Sequence, residues 1–137
     1  MFTPYMHFQG CCAEALTTYC RVLGGTELTL MTYDDVPDGG FGGAGAGQLI
    51  MHGSFRLRDG MLFASDFPPG MEGERQQAVS VHLDFPTDAA AHAAFDALRE
   101  GGQEIMPFAE TFWATGFGML RDRFGTHWML SGPMKAG

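Results

Sequence analysis

The sequence is poor in positive charge and lacks long apolar runs. Only 8 of its 137 residues are Lys or Arg, against 16 Asp or Glu, so the formal net charge is −8. Nucleic acids and anionic membrane surfaces attract clustered Lys and Arg, which argues against both as partners. No window approaches the ~18 apolar residues of a membrane span, and no segment resembles a secretory leader. A cytoplasmic location is therefore expected.

Cysteine is also scarce. Cys11, Cys12 and Cys20 all fall at the start of the first predicted helix or within it. Cysteines that are adjacent or share a helix do not easily form a disulfide framework, so we expect reduced, semi-buried thiols. A catalytic cysteine would in addition need a nearby base, which the sequence does not reveal.

What the sequence does contain is one pattern of elements, present twice. In each copy a short alternating stretch leads into a helical run, a glycine pair and a new strand, and the copy closes with a hairpin. The two copies occupy residues 5–8, 13–23, 24–25, 26–30 and 58–61, and residues 79–85, 88–99, 101–102, 103–106 and 123–126. The pattern predicts an α+β protein with two βαβββ modules, as halves of roughly 1–70 and 76–133 in a single domain 1–137.

Periodicity separates the faces of these elements. The helices should pack their apolar stripes on the sheets, with Gly24 as a left-handed cap and Thr87 or Asp88 as an N-cap. The stripes are Ala15, Leu16, Tyr19, Val22 and Leu23, and Ala91, Ala94, Phe95 and Leu98. In the third strand, Met51 and Phe55 should share one side and Ile50 and His52 the other. If the apolar sets face the helices, the polar sets line an opposite face, which is the candidate site.

A glycine-rich loop spans residues 38–47. Gly40, Gly42 and Gly45 formally match G-x-G-x-x-G, but a dinucleotide site needs a strand directly before this motif and a helix directly after it. Here a strand-like alternation follows, so the loop is instead predicted to be a mobile flap over the mouth of a cavity.

Motifs throughout the chain resemble those of one family. They are PYMHFQG at residues 4–10, MH at 51–52, ASDFPPG at 64–70, MP at 106–107, ETFW at 110–113, FG at 117–118 and 124–125, and WM at 128–129. This set resembles the PhnB-like branch of the vicinal oxygen chelate superfamily, which includes glyoxalases, bleomycin resistance proteins and dioxygenases. Family members also carry the label demethylubiquinone methyltransferase-like, yet no phosphate or adenosylmethionine loop supports methyl transfer in this sequence.

The resemblance implies two modules whose sheets form a cup-shaped cavity, usually in a homodimer. Enzymes of the superfamily hold a divalent metal there, with His, Glu or Gln ligands on the first, fourth, fifth and eighth strands. Those places fall on Thr3, Ala64, Ser80 and Met129, none of which is a competent ligand. The resemblance thus predicts a small-molecule-binding homodimer that lacks the usual metal site and needs no cofactor.

Two alternatives stay open. His7, His52, His82 and Asp66 could hold a displaced divalent metal, as in a lyase, isomerase or dioxygenase acting on adjacent oxygens. The same residues could instead be hydrogen-bonded pocket or interface residues, with Asp66 closing the turn at Pro68. The other alternative is a structural or sequestration dimer without a ligand.

The ETFW motif offers another candidate. Glu110 precedes Phe112 and Trp113, so its pKa could be raised toward the range of a general base, or the aromatics could simply plug the cavity. Methionines could add an adaptable lining, from Met6, Met51, Met106, Met119 and Met129. The complete set of cavity candidates is Tyr5, His7, His52, Ser54, Asp66, Ser80, His82, Glu110, Trp113 and Met129.

Overall fold

In the computed structural model the chain forms two units, Met1–Arg75 and Gln76–Gly137, each with one helix and a four-stranded sheet. The structure describes residues 1–35 and 47–136, so the predicted flap at 38–47 lies outside the described residues except for Gly47. None of the helices among these residues has the length and apolarity needed to cross a membrane. The α+β prediction of two βαβββ modules is confirmed.

The first unit contains β1 (Tyr5–Phe8), α1 (Cys12–Leu23), β2 (Thr26–Thr32), a short 3-10 turn (Tyr33–Asp35), β3 (Ile50–Leu57) and β4 (Gly60–Asp66). The strand order in its sheet is β1-β4-β3-β2. Strand β1 runs parallel to β4, and the other pairs are antiparallel. As predicted, Gly24 caps α1 in the left-handed conformation, with φ 76°.

The second unit repeats this order with β5 (Ser80–Asp84), α2 (Asp88–Arg99), β6 (Gln103–Ala109), β7 (Phe117–Arg121) and β8 (His127–Ser131). Its sheet order is β5-β8-β7-β6, with β5 parallel to β8. Thr87 is the N-cap of α2, because its side chain accepts a hydrogen bond from the Ala90 N–H at 3.1 Å.

Each helix packs closely on its own sheet. The buried stripe of α2 is the predicted one, whereas α1 buries Cys12 in place of Val22 and Leu23, which are only half-buried. Glycine in the facing strand permits the close approach. A Cβ on Gly53 would lie 2.6 Å from Leu16 Cδ1, and one on Gly118 would lie 2.7 Å from Phe95 Cε2.

A bulge changes which residues of β3 face the helix. Ile50 pairs with Thr32 while His52 pairs with Met31, so β3 carries one extra residue at this point. The extra residue breaks strict alternation: Ile50 is buried, and Met51 joins His52 on the open side. The predicted placement of Ile50 on the open face and of Met51 against the helix is therefore wrong. Farther along the strand, Phe55 is buried as predicted.

Candidate functional site

A cleft of about 500 Å³ opens on the first sheet, on the face turned away from α1. Met6 and Phe8 point toward the helix and are buried, so the alternating residues of β1 supply the open face. A volume of this size suits a small organic molecule. The lining residues are Tyr5, His7, Tyr33, Met51, His52, Ser65, Asp66, Phe67, Pro68 and Met71.

Aromatic rings form one wall of this cleft. The ring of His7 contacts those of Tyr5 and Phe67, with centroid distances of 4.9 and 5.4 Å and interplanar angles of 30° and 22°. His52 meets Phe63 edge-on at 5.1 Å. A hydrogen bond of 3.3 Å joins the Tyr5 hydroxyl to His52 Nδ1, which ties β1 to β3 across the sheet.

Asp66 lies at the base of the cleft, but its carboxylate serves the backbone. One oxygen accepts the N–H groups of Gly10 and Cys12 at 2.9 and 3.0 Å, and the other accepts the N–H of Ile50 at 2.9 Å. The side chain therefore anchors both the start of α1 and the bulge of β3. The prediction that Asp66 closes the turn at Pro68 is wrong, because these hydrogen bonds point the carboxylate toward α1 and β3.

Tyr33 packs over the same junction. Its hydroxyl donates to the backbone carbonyl of Asp66 at 3.0 Å, and its side chain is buried. Burial and, secondarily, the negative charge of Asp66 raise the pKa of this hydroxyl above its ordinary value. Tyr33 therefore contributes a neutral wall to the cleft.

The rim of the cleft is held by Gln9. Its side-chain amide donates to the carbonyl of Met71 at 2.8 Å, and its oxygen accepts the N–H of Gly73 at 3.0 Å. The ring of Phe67 occupies the space that a side chain at position 73 would need. These contacts position residues 68–73 beside the aromatic wall.

Three candidates of the second unit, Ser80, His82 and Met129, lie on the face of its sheet turned away from α2. Met129 pairs with both His82 and Met119, and Met119 pairs with Met106, so a row of three methionines crosses β6, β7 and β8. His82 Nε2 lies 3.1 Å from the Ser131 hydroxyl, and Ser80 shares its face. The structure thus gathers Tyr5, His7, His52 and Asp66 at one cleft. It places Ser54 outside the lining and Ser80, His82 and Met129 on the other unit.

Glu110 does not have the predicted environment. Its side chain is 69% exposed and pairs with Lys135 Nζ at 2.9 Å. The hydrogen bond and charge of Lys135 lower the pKa of Glu110, so the predicted upward shift is wrong. Trp113 packs edge-on against Phe117 at 5.3 Å, and its role as a cavity wall stays a prediction.

The donor set of the cleft does not fit a divalent metal. Its two imidazoles would need a third ligand, and both oxygens of Asp66 are already engaged by backbone N–H groups. Within residues 1–35 and 47–136, no three His, Cys, Asp or Glu side chains are grouped so that they could hold a metal ion. The position implied on the fourth strand, Ala64, pairs with Met6 and Gly53 and so faces α1 rather than the cleft.

Sequence reasoning omitted several lining residues from the site. Phe67 and Pro68 belong to the ASDFPPG motif, so the motif itself contained the signal. Met51 was named as a possible lining methionine, yet alternation assigned it to the opposite face, because a bulge cannot be read from alternation. Ser65 belongs to the same motif, whereas Tyr33 and Met71 carried no distinguishing pattern.

Residues 1–131 match the family described as 3-demethylubiquinone-9 3-methyltransferase. Protein YjdN of Escherichia coli (strain K12) is 28% identical over an alignment of 137 positions, and the match covers 94% of this chain and 92% of that protein. Among solved structures, protein PA1353 from Pseudomonas aeruginosa is 38% identical with a TM-score of 0.88, and the match covers 96% of each chain.

More distant structures share the fold. The PhnB protein from Bacillus cereus is 20% identical with a TM-score of 0.76, over 96% of this chain and 98% of that one. A glyoxalase/bleomycin resistance protein from Albidiferax ferrireducens T118 is 13% identical with a TM-score of 0.65, over 97% and 98%. The two-module architecture is therefore the glyoxalase-like fold.

Proposed function

Since this chain belongs to the 3-demethylubiquinone-9 3-methyltransferase family, in the PhnB-like branch of the vicinal oxygen chelate superfamily, we propose that it binds a small, partly apolar molecule without a divalent metal. The proposed site is the cleft of the first unit. The observation that carries the proposal is the composition of this cleft, in which a few polar groups are set among apolar walls.

The walls suit an organic ligand. Phe67, Pro68 and Met71 form an apolar rim, and Met51 adds a flexible thioether that can adapt to different shapes. The polar groups that could orient a ligand are Tyr5, His7, His52 and Ser65. Small-molecule sites in proteins commonly combine such walls with a small number of polar contacts.

The proposal omits a metal because of the chemistry of the donors present. Thr3, Ser80 and Met129, at the implied ligand positions, offer no imidazole, carboxylate or thiolate, and Ala64 offers no donor at all. Metal analysis of the purified protein tests this part of the proposal: about one tightly held transition metal per chain would contradict it and favour the metal-dependent alternative.

A homodimer is part of the same proposal. Large apolar side chains are exposed on β2 and β6 and at positions flanking the strands, and surfaces of this kind commonly mark interfaces. They include Leu28, Met31, Val79, Ile105, Met106 and Phe112, the last being 87% exposed. Sedimentation at micromolar concentration should give the mass of two chains, whereas the mass of one chain would contradict this part.

Methionine methyl resonances provide a direct test of the site. A metabolite screen by thermal shift should yield binders, since a ligand at 100 times its Kd stabilises by about 2.7 kcal/mol. In protein carrying ¹³C-methyl methionine, the binders should shift Met51 and Met71 and leave Met6, which is buried under α1, unchanged. Binders that shift only Met119 and Met129 would contradict the proposed location.

Tryptophan fluorescence tests, as a separate question, the prediction that Trp113 lines a ligand cavity. Binders should then quench the protein's fluorescence, and the quenching should disappear in Trp113→Phe. Trp128 is an internal control, because it is fully buried and its indole N–H donates to Asp122 at 2.8 Å. Quenching that survives in Trp113→Phe would exclude a role for Trp113.

A further inference from the structure

We infer that the cleft of the first unit selects flat, ring-containing molecules that carry an uncharged carbonyl oxygen, such as aromatic ketones, aldehydes or amides. This inference rests on the proposed function, because it specifies the ligand class of the same site. Three features support it: the stacked rings, the hydrogen left over in the Tyr5–His52 pair, and the charge of the lining.

The stacked rings favour a flat ligand. The rings of His7 and Phe67 are stacked with an interplanar angle of 22°, and the ring of Tyr5 lies beside His7 at a tilt of 30°. Tyr5 is 43% exposed, so its ring remains accessible from the open face. Offset stacking on such rings gains energy beyond simple area burial, and a puckered ring cannot make the same contact.

The Tyr5–His52 pair favours an acceptor oxygen. In their neutral forms the two side chains carry two polar hydrogens, one on the hydroxyl and one on the imidazole. Their mutual bond through Nδ1 uses one of these, whichever tautomer is present. The other hydrogen, on Nε2 or on the hydroxyl, has no acceptor among residues 1–35 and 47–136 and can be donated to a ligand. A carbonyl oxygen is a suitable acceptor for it.

The charge of the lining favours an uncharged ligand. Among the lining residues that the structure describes, Asp66 is the sole acidic one, and no Lys or Arg accompanies it. Its negative charge, together with a net charge of −8, disfavours an anion in the cleft. Its carboxylate is buried and accepts three backbone N–H groups, which compensate part of its charge and weaken its attraction for a cation in the cleft.

Four probes of similar size test these features separately: acetophenone, ethylbenzene, benzoate and cyclohexyl methyl ketone. Each is titrated at pH 8, and the methyl shifts of Met51 and Met71 give its Kd. Acetophenone should bind tightest. Ethylbenzene, which lacks the oxygen, should bind about tenfold more weakly, as expected for one lost hydrogen bond. The charged and the puckered probes should also bind more weakly than acetophenone.

Variants assign the hydrogen bond to the pair. Tyr5→Phe and His52→Phe should each keep the preference for acetophenone over ethylbenzene, because the remaining partner still carries a hydrogen. The double variant should lose the preference. Ser54→Ala is the matched control, since it removes a hydroxyl from the same strand outside the lining. An unchanged Met6 resonance in each variant shows that the core stays folded. The order of the four affinities is measured on the unaltered protein, so it tests the ligand class even if a variant does not fold.

Each outcome decides the inference. If ethylbenzene or benzoate shifts Met51 and Met71 at concentrations as low as acetophenone does, the ligand class is wrong while the proposed function stands. A double variant that folds and keeps the preference removes the role of the pair. If none of the probes shifts either methionine, the ligand class is again wrong, and the metabolite screen then decides the proposed function independently.

Discussion

The two units share one order of elements and one sheet topology, yet their open faces differ. In the first unit the face away from the helix carries rings and imidazoles around a cleft. In the second unit the equivalent face carries the row Met106, Met119 and Met129. The helix–sheet packing that both units share therefore sets their common topology, whereas the residues on the open face do not take part in that packing and differ between the units.

The two units also differ where the start of the helix meets a strand end, at β4 in the first unit and at β8 in the second. In the first unit Asp66, at the end of β4, reaches the start of α1. In the second unit the acid comes from the helix: Asp88, in the first turn of α2, accepts the Thr115 hydroxyl at 2.7 Å. Gly132, which follows β8, has no room for a Cβ because Asp88 fills that space. The contact is kept, although the residue that makes it has moved.

Replacing Asp66 and Asp88 by alanine should show the largest difference in stability between the two units. In Asp66→Ala three backbone N–H groups lose their acceptor, two of them in buried hydrogen bonds, so the free energy of unfolding should fall by about 3–5 kcal/mol. Asp88→Ala takes away one acceptor of the exposed Thr115 hydroxyl and removes a favourable negative charge from the start of α2, so the free energy of unfolding should fall by about 1–2 kcal/mol. Urea denaturation measures both losses, with the exposed Asp96→Ala as control. Equal losses would show that the two junctions are energetically alike.

The glycines under the helices give a second comparison. Gly53→Ala places a Cβ against the terminal methyl of Leu16, which can rotate away, so we expect a loss of about 1 kcal/mol. Gly118→Ala meets the rigid ring of Phe95 and, at 3.1 Å, the backbone of Phe108. Its loss should reach about 2–3 kcal/mol because neither neighbour can easily yield. Urea midpoints at unchanged m-value measure the difference, and a larger loss for Gly53→Ala would contradict this account.

The starts of the two helices should also respond differently to alkali. Burial, with a smaller effect of Asp66, raises the pKa of the Cys12 thiol above its ordinary value of 9.0, whereas α2 buries Ala91, which does not titrate. Above pH 9 the unfolded thiol loses its proton and the folded one keeps it. The free energy of unfolding should therefore fall with rising pH, by at most about 1.4 kcal/mol per pH unit.

Urea denaturation between pH 7 and 10 tests this slope. Cys12→Ala should remove the decline above pH 9, and below pH 8 the two proteins should show parallel curves because the thiol is protonated in both states. A decline that persists in Cys12→Ala would assign it to another group.

The sequence revealed those parts of the fold that depend on neighbouring residues. The cap at Gly24, the buried stripe of α2 and the open face of β1 all follow from local periodicity and backbone preference. The bulge at Met51 depends on pairing with a distant strand, so strict alternation predicted the wrong face. Likewise, the partners of Asp66 lie 16 to 56 residues away along the chain, and no local pattern identifies them.

The smallest predicted effect concerns the exposed ion pairs. In the first unit Glu27 and Arg56 pair between adjacent strands, whereas in the second Glu110 pairs with Lys135, beyond the last strand. Because Lys135 lowers the pKa of Glu110, Lys135→Ala should raise it toward the ordinary 4.5, and Lys135→Arg should keep it low. Carboxyl ¹³C shifts followed against pH measure the change. High salt should raise the pKa of the unaltered protein in the same direction, since the pair is exposed and screened. If Lys135→Ala leaves the pKa of Glu110 unchanged, a neighbour other than Lys135 lowers it, and this account of the ion pair is wrong.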